Sequence, residues 1–400
     1  MRNLIKDKGF EYLIYALILS LFFSKAIPNI ILAILSVWTI IDFKSNVILK
    51  TKVTFSSTII LFILLIFLVL KSILFSTISY DLKVYKGLFL LFWIAIVFQK
   101  ITDFKTLKLV LLWGINVAIL SSVFLITIFY LKNHTLPFSN TAEVNELLIL
   151  ERPYIGFITV LGFFLSIEKA RFSIRFKHLW IVNAILLFLF ILLISARISI
   201  ITLFVISIIY LLFYAKINWA KKAMFLISFI VFFGLIVLTN KNISERFFVK
   251  SNLEESLKVA SDYEPRIVIW NCAYSMTQKS NYNPLIGFEG YKKISNNFLE
   301  CYSNTIENLS KKEYFLTEKF NSHNQLIDFY LIGGLIGLGL FIAFFTKLFI
   351  EVKKNFFQTA IVVSFLLFFC VENIFYRQFG CYLVGIFILI LSHIKNEINE

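Results

Sequence analysis

Long apolar runs dominate the chain, and short polar turns interrupt them at near-regular intervals. About twelve apolar segments, near 10–23, 27–41, 56–75, 85–98, 107–131, 153–167, 179–195, 198–215, 221–239, 324–349, 356–371 and 378–394, predict as many membrane helices, most of them close to the ~20 residues that span a bilayer. The first, second, fourth and sixth are short and are expected to tilt or to extend into their polar flanks. One polar stretch, roughly 240–322, breaks the rhythm. The pattern therefore predicts an all-α polytopic membrane protein in three parts: about nine helices over 1–239, a loop subdomain over 240–322, and about three helices over 323–400. The loop mixes Tyr, Asn and Lys with apolar runs such as Arg266-Ile267-Val268-Ile269-Trp270, which suits short helices lying over a membrane face better than a disordered linker. Pro265 fits the first turn of a helix with Asp262 or Glu264 near its cap, while Asn283-Pro284, Gly287 and Gly290 mark turns.

Composition agrees with that pattern. Of 400 residues 59% are hydrophobic and only 16% charged, which excludes an ordinary soluble domain. A net charge of +15 would suit a nucleic-acid binder if it formed a stripe, but the basic residues gather in alternate short loops and at the termini. One set of loops holds Lys44, Lys50 and Lys52; Lys100, Lys105 and Lys108; Lys169, Arg171, Arg175 and Lys177; Lys216, Lys221 and Lys222; and Lys347, Lys353 and Lys354. The other set holds only Lys25, Lys83, Lys86, Lys132, Arg152, Arg197 and Arg377. By the positive-inside rule the first set and both termini are cytoplasmic, and the long loop is outside. Nucleic acid is excluded as a partner; membrane lipids are implied. The run Phe10–Phe23 passes through Ser24–Pro28 straight into a second apolar run, which reads as a retained hairpin rather than a cleaved signal. Cys272 and Cys301 share the outer segment and are able to pair if it is extracytoplasmic; their pairing stays open. Cys370 and Cys381 are expected to pack in the membrane.

Candidate chemistry collects where the polar stretch re-enters the membrane, at Asn321-Ser322-His323-Asn324-Gln325. Ser322-x-x-Gln325 has the spacing of a capping box, which predicts Ser322 as N-cap and His323 as the first helical residue. The free N–H groups and dipole of such an end attract phosphate and disfavour a cation, so His323 is expected to be a neutral base beside a phosphate seat. The plainer reading of a lone histidine is an interfacial polar side chain.

Arg197 stands in Ser195-Ala196-Arg197-Ile198-Ser199, with apolar sequence for most of a helix on either side, and reads as an anion clamp or a snorkelling turn residue. Arg266 gains weight from the combination: two outer arginines are able to fork across a pyrophosphate. Arg152, just before Pro153, is either a third anion-binding arginine or the partner of Glu151. Lys71 is expected to snorkel from the outer end of its helix, and His134 to be solvated. Gly333-x-x-x-Gly337 reads as a helix-packing motif that fixes the helix behind His323, and Glu372 as an acid able to orient a histidine or pair with an arginine. No Asp-x-Asp motif or ligand cluster calls for a metal, so no cofactor is expected.

Together these features resemble the O-antigen ligase and polymerase superfamily of bacterial envelope glycosyltransferases. The layout of helices around one long loop resembles that family over most of the chain. His323-Asn324, nine residues, Gly334, two residues and Gly337 match the ligases' pattern, and Arg197 and Arg266 look like the family's two essential arginines. The resemblance implies a fold similar to glycosyltransferases of the C type in the bacterial inner membrane, acting at the periplasmic face. It implies metal-independent transfer of a glycan from undecaprenyl diphosphate to a lipid A-core sugar or another glycan acceptor, with inversion. His323, Arg266 and Arg197 would be catalytic, and Arg152, Asn324 and Ser322 would bind substrate. An arginine–glycine pair common in the polymerases is absent, which favours a ligase over a polymerase using the same donor. A transporter of lipid-linked sugars is the alternative of another class; its usual paired broken helices and midplane charges are not found in the sequence.

Overall fold

The computed structural model describes residues 2–43, 56–136, 141–239 and 264–399. Among them every regular element is helical, apart from one isolated bridge between Asn283 and Gly287. The order is α1 (Arg2–Ser20), α2 (Ile27–Phe43), α3 (Ser56–Leu74), α4 (Ile78–Val97), α5 (Phe104–Asn133), α6 (Thr141–Leu147), α7 (Arg152–Phe172), α8 (Lys177–Leu193), α9 (Arg197–Ile209) and α10 (Trp219–Thr239). There follow α11 (Pro265–Thr277), α12 (Tyr291–Thr305), α13 (Leu309–Glu318), α14 (Gln325–Val352), α15 (Phe356–Phe369) and α16 (Gln378–Asn399). A π-helical turn, Tyr210–Tyr214, continues α9.

Each predicted apolar segment falls largely within one of these helices, and short ones do extend into polar flanks: α1 begins at Arg2 and α4 at Ile78. By length and composition four helices among the described residues are able to cross a membrane: Ser57–Leu74, Phe104–Asn133, Arg197–Tyr214 and Gln325–Val352. Apolar side chains such as Trp113, Leu120 and Phe124 of α5 stand exposed, as lipid-facing residues do. The described part of the polar stretch, 264–322, holds the short helices α11, α12 and α13 joined by loops, with Glu264 as N-cap and Pro265 in the first turn of α11, as expected. The expectations for 240–263, including Asp262, and for the basic loop of Lys44, Lys50 and Lys52 lie outside the described residues.

The helices form two compact units that interleave along the chain: Met1–Val47, Lys100–Leu257 and Lys353–Leu367 in the first, Ile48–Gln99, Lys258–Val352 and Phe368–Glu400 in the second. The first is centred on α7. Val160 and Phe164 of α7 pack with Ile191 of α8, Ile200, Leu203 and Ile206 of α9, and Ala360 and Val363 of α15. Gly156 of α7 lies so close to the turn before α9 that an added Cβ would meet Ser199 Oγ at 2.5 Å and Ala196 Cβ at 2.7 Å.

In the second unit α14 is broken. Gly334 has φ 59° and ψ −154°, a conformation reserved for glycine, inside an otherwise helical run. The loop Pro284–Phe288 enters the break. Leu335 N donates to Pro284 O (2.8 Å), Ile336 N donates to Leu285 O (3.1 Å), and Phe288 N donates to Leu331 O (2.8 Å). Each such group left unpaired in hydrocarbon would cost several kcal/mol, so the inserted loop is what makes the break tolerable. Gly287, with φ 75°, must be glycine too, because a Cβ there would lie 2.4 Å from Leu331 O. The packing motif is thus half of the story: Gly333 and Gly337 do face Phe67 of α3, while Gly334 between them opens the helix.

Lys71 does not snorkel. It is 5% exposed, and its ammonium donates to Phe288 O and Ile332 O, two carbonyls beside the break. Freed carbonyls in an apolar setting offer a lysine a better partner than a distant headgroup.

Gly334→Ala is expected to destabilise the full-length protein by about 1–3 kcal/mol, since the new Cβ would sit 2.3 Å from the Leu285 backbone. Gly339→Ala is the control, because nothing lies within 4 Å of its added Cβ. Thermal unfolding in detergent reads the difference, and equal melting of the two variants would count against the break.

Candidate active site

The segment Asn321–Gln325 departs from the capping-box expectation. Asn324, not Ser322, is the N-cap of α14: its Oδ1 accepts from the backbone N–H groups of Leu326 (2.9 Å) and Ile327 (3.1 Å), and its carbonyl accepts from Asp328 N (2.9 Å). Asparagine caps as well as serine, so the choice fell to what else the two side chains touch. Ser322 Oγ donates to Asn324 O (3.0 Å) and accepts from Asn373 Nδ2 (3.0 Å), and Gln325 Oε1 accepts from Phe375 N (3.2 Å). Both side chains of the supposed box are therefore taken by the 373–375 segment.

Two consequences follow. The helix-end donors of Leu326 and Ile327 are already used by Asn324, so they do not form the expected anion seat. His323 lies outside the helix, in the left-handed region at φ 43°, with its N–H donating to Asn321 Oδ1 (3.1 Å). Histidine tolerates that region better than most residues, and strain of this kind is typical of functional positions.

His323 and Arg266 meet at Glu372. Nδ1 of His323 lies 3.6 Å from Glu372 Oε2, an electrostatic contact rather than a formed hydrogen bond. Arg266 Nη2 donates to Glu372 Oε1 (3.0 Å), Nη1 to Glu264 Oε1 (3.2 Å) and Nε to Val371 O (3.3 Å). Burial opposes ionisation of Glu372, but His323, Arg266 and Arg377 outweigh it and hold the carboxyl below its ordinary range. The carboxylate is almost buried, at 7% side-chain exposure, whereas His323 and Arg266 each keep 24% and stay reachable. Two of the five guanidinium N–H donors have no part in these three bonds.

The surroundings fix this group. Trp270 Nε1 of α11 donates to Ser322 O (3.0 Å), and Asn324 Nδ2 donates to Cys370 O (2.8 Å). Beneath them Tyr376 OH donates to Asp328 Oδ2 (2.5 Å), while Asp328 Oδ1 lies 3.4 Å from Ser322 Oγ. A disulfide between Cys272 and Cys301 ties α11 to α12, which decides the pairing left open above. Trp270, Asp328, Asn373 and Tyr376 were not singled out from the sequence. Only Asp328 carried a usable signal, as an acid inside an apolar helix.

Arg197 and Arg152 belong to the first compact unit. Arg197 opens α9 after Ser195, which is left-handed at φ 48°, and Arg152, 2% exposed, opens α7. Gly156, one turn beyond Arg152, is the residue pressed against the Ala196–Ser199 turn, so the two arginine-bearing helix starts are neighbours. His134 ends α5 as an exposed left-handed C-cap, as a solvated residue should.

Residues 182–342 match the family described as O-antigen ligase. The match takes in Arg197, Arg266, Ser322, His323, Asn324 and the broken part of α14, and leaves out Arg152 and Glu372. No curated protein matches the chain.

Glu372 sets a pH dependence. Its folded-state pKa lies below the ordinary 4.5, so its contribution to stability is complete above that value and is lost as pH falls through the lower, folded one. The melting temperature of the full chain should therefore drop on acidification below about pH 4.5, and Glu372→Gln should flatten that part of the profile. Superimposable acid limbs would remove Glu372 as a charged anchor.

Proposed function

Because residues 182–342 match the O-antigen ligase family, we propose that the chain transfers a glycan from an undecaprenyl-diphosphate carrier to a sugar hydroxyl of a lipid A-core acceptor. The reaction inverts the anomeric carbon and takes place on the periplasmic face of the bacterial inner membrane. Helices crossing about twelve times, in the manner of glycosyltransferases of the C type, would present the site there, with both termini cytoplasmic. The Cys272–Cys301 disulfide supports an oxidising compartment for the loop that carries it.

The observation that carries this reading is the Glu372 carboxylate shared by His323 and Arg266. With Nδ1 facing Glu372, Nε2 is the imidazole nitrogen left to take a proton. It removes that proton from the acceptor hydroxyl as the oxygen attacks the anomeric carbon and the bond to the diphosphate breaks. Glu372 favours the imidazolium that forms. The two guanidinium donors of Arg266 outside its three protein bonds neutralise charge growing on the leaving diphosphate. Ser322 and Asn324 hold His323 in place through their own bonds. The leaving group is good and the cations are organic, so this route needs no metal.

Reconstituted full-length protein given a lipid-linked glycan and an acceptor glycolipid tests the assignment directly. His323→Ala should lower transfer by about 10²–10⁴-fold in protein that remains folded; near-normal transfer would exclude it as the base. Arg266→Lys, which keeps the charge but loses the fork, should cost about 10- to 100-fold, and full activity would remove Arg266 from the phosphate. Accumulation of longer carrier-linked glycan, with the acceptor glycolipid untouched, would indicate a polymerase.

A further inference from the structure

The first compact unit contains a cavity of about 1270 Å³. It opens between α7, the π-helical end of α9, α10 and the start of α15. Its inner wall is apolar and aromatic, including Phe163, Ile206 and Phe356. Its mouth carries Arg171, Lys216 and Lys354, each exposed and each from a different part of the chain. Among the described residues no carboxylate lines it. From Arg171 to Phe163 along α7 is about 12 Å, at ~1.5 Å per residue, so the cavity is deep as well as wide.

The three cations stand at one membrane border. Lys216 follows directly on Arg197–Tyr214, a helix long enough to cross; Arg171 lies in the last turn of α7; Lys354 lies just before α15. The charge asymmetry of the loops assigns this border to the cytoplasm, whereas Arg197 is at the far end of the same crossing helix. That asymmetry explains why basic residues are present, but not why three of them converge on one cavity that no carboxylate among the described residues lines.

The cavity is also preformed. Tyr214 OH donates to Lys353 O (2.6 Å) and is 2.7 Å from Thr359 Oγ1, joining the π-turn to α15. Phe356 packs between Tyr210 (ring centroids 4.8 Å) and Tyr214 (5.4 Å). A π-turn placed in a cavity wall is a departure from regular helix of the sort found at binding sites.

An apolar recess of this size beside hydrocarbon does not hold water well. A cationic mouth with no carboxylate among its described lining residues calls for phosphate. We propose that the cavity is a binding site for an anionic phospholipid of the cytoplasmic leaflet, its phosphate held among Arg171, Lys216 and Lys354 and its acyl chain lying against Phe163, Tyr210 and Phe356. The site is separate from the candidate active site and does not depend on the transfer reaction.

Full-length protein in zwitterionic nanodiscs, titrated with phosphatidylglycerol or phosphatidylcholine and read by native mass spectrometry, tests this. Wild type should retain phosphatidylglycerol selectively and melt higher with it. The triple variant R171Q/K216Q/K354Q should weaken that retention about 10- to 100-fold. Ser207→Trp, which fills the wall without touching charge, should weaken it as well. Equal retention of both lipids by wild type would overturn the proposal without recourse to any variant. So would an unchanged, folded triple variant, or unchanged retention in Ser207→Trp. An equal melting shift from inorganic phosphate alone would point to a soluble anion and likewise overturn the lipid assignment.

Discussion

A single buried carboxylate joins the parts of the candidate site. Glu372 meets an imidazole through one oxygen and a guanidinium through the other, and those partners come from chain segments far apart in sequence. Burying a carboxylate is unfavourable in itself; what makes it stable here is that both oxygens face cationic or potentially cationic groups. Removal of any one of the three would leave the others with charge no longer matched. The same group gives the histidine its direction, because Nδ1 is the ring nitrogen that faces Glu372.

A second constraint lies behind the first. Within a bilayer every backbone amide has to find a partner. The break at Gly334 is met by a loop that supplies both donors and acceptors, and by a buried lysine that takes two carbonyls. The glycines of α14 therefore do more than let helices approach. They accept Pro284–Phe288 into the helix, and so tie the segment that carries α11–α13 to the element that begins just after His323. A rigid link between loop and helix keeps Arg266, on α11, in register with His323, along with the Trp270 bond to Ser322.

Local pattern was a good guide to helices and a poor guide to their ends. The apolar stretches, the helical nature of the loop subdomain and the Glu264-Pro265 start of α11 were all legible, since each depends on neighbours a few residues away. The capping box at Ser322 was misread by two residues. Ser-x-x-Gln, followed by an asparagine inside the motif, permits two starts of equal intrinsic strength, and only the 373–375 segment decides between them. Lys71 was misjudged for the same reason: nothing near it in sequence announces the two carbonyls it binds.

His323, Arg266 and the possibility of a Glu372 partner were visible in the sequence, because ionisable residues at a membrane border stand out against an apolar background. The chain by itself determined that this is an all-helical membrane protein, which residues bear charge at its borders, and which glycines can leave the helical conformation. Tertiary structure alone decided which carboxylate joins which cation, which asparagine caps α14, and which loop enters the break. Those choices are settled by contacts between segments dozens to hundreds of residues apart, and no local spacing encodes them.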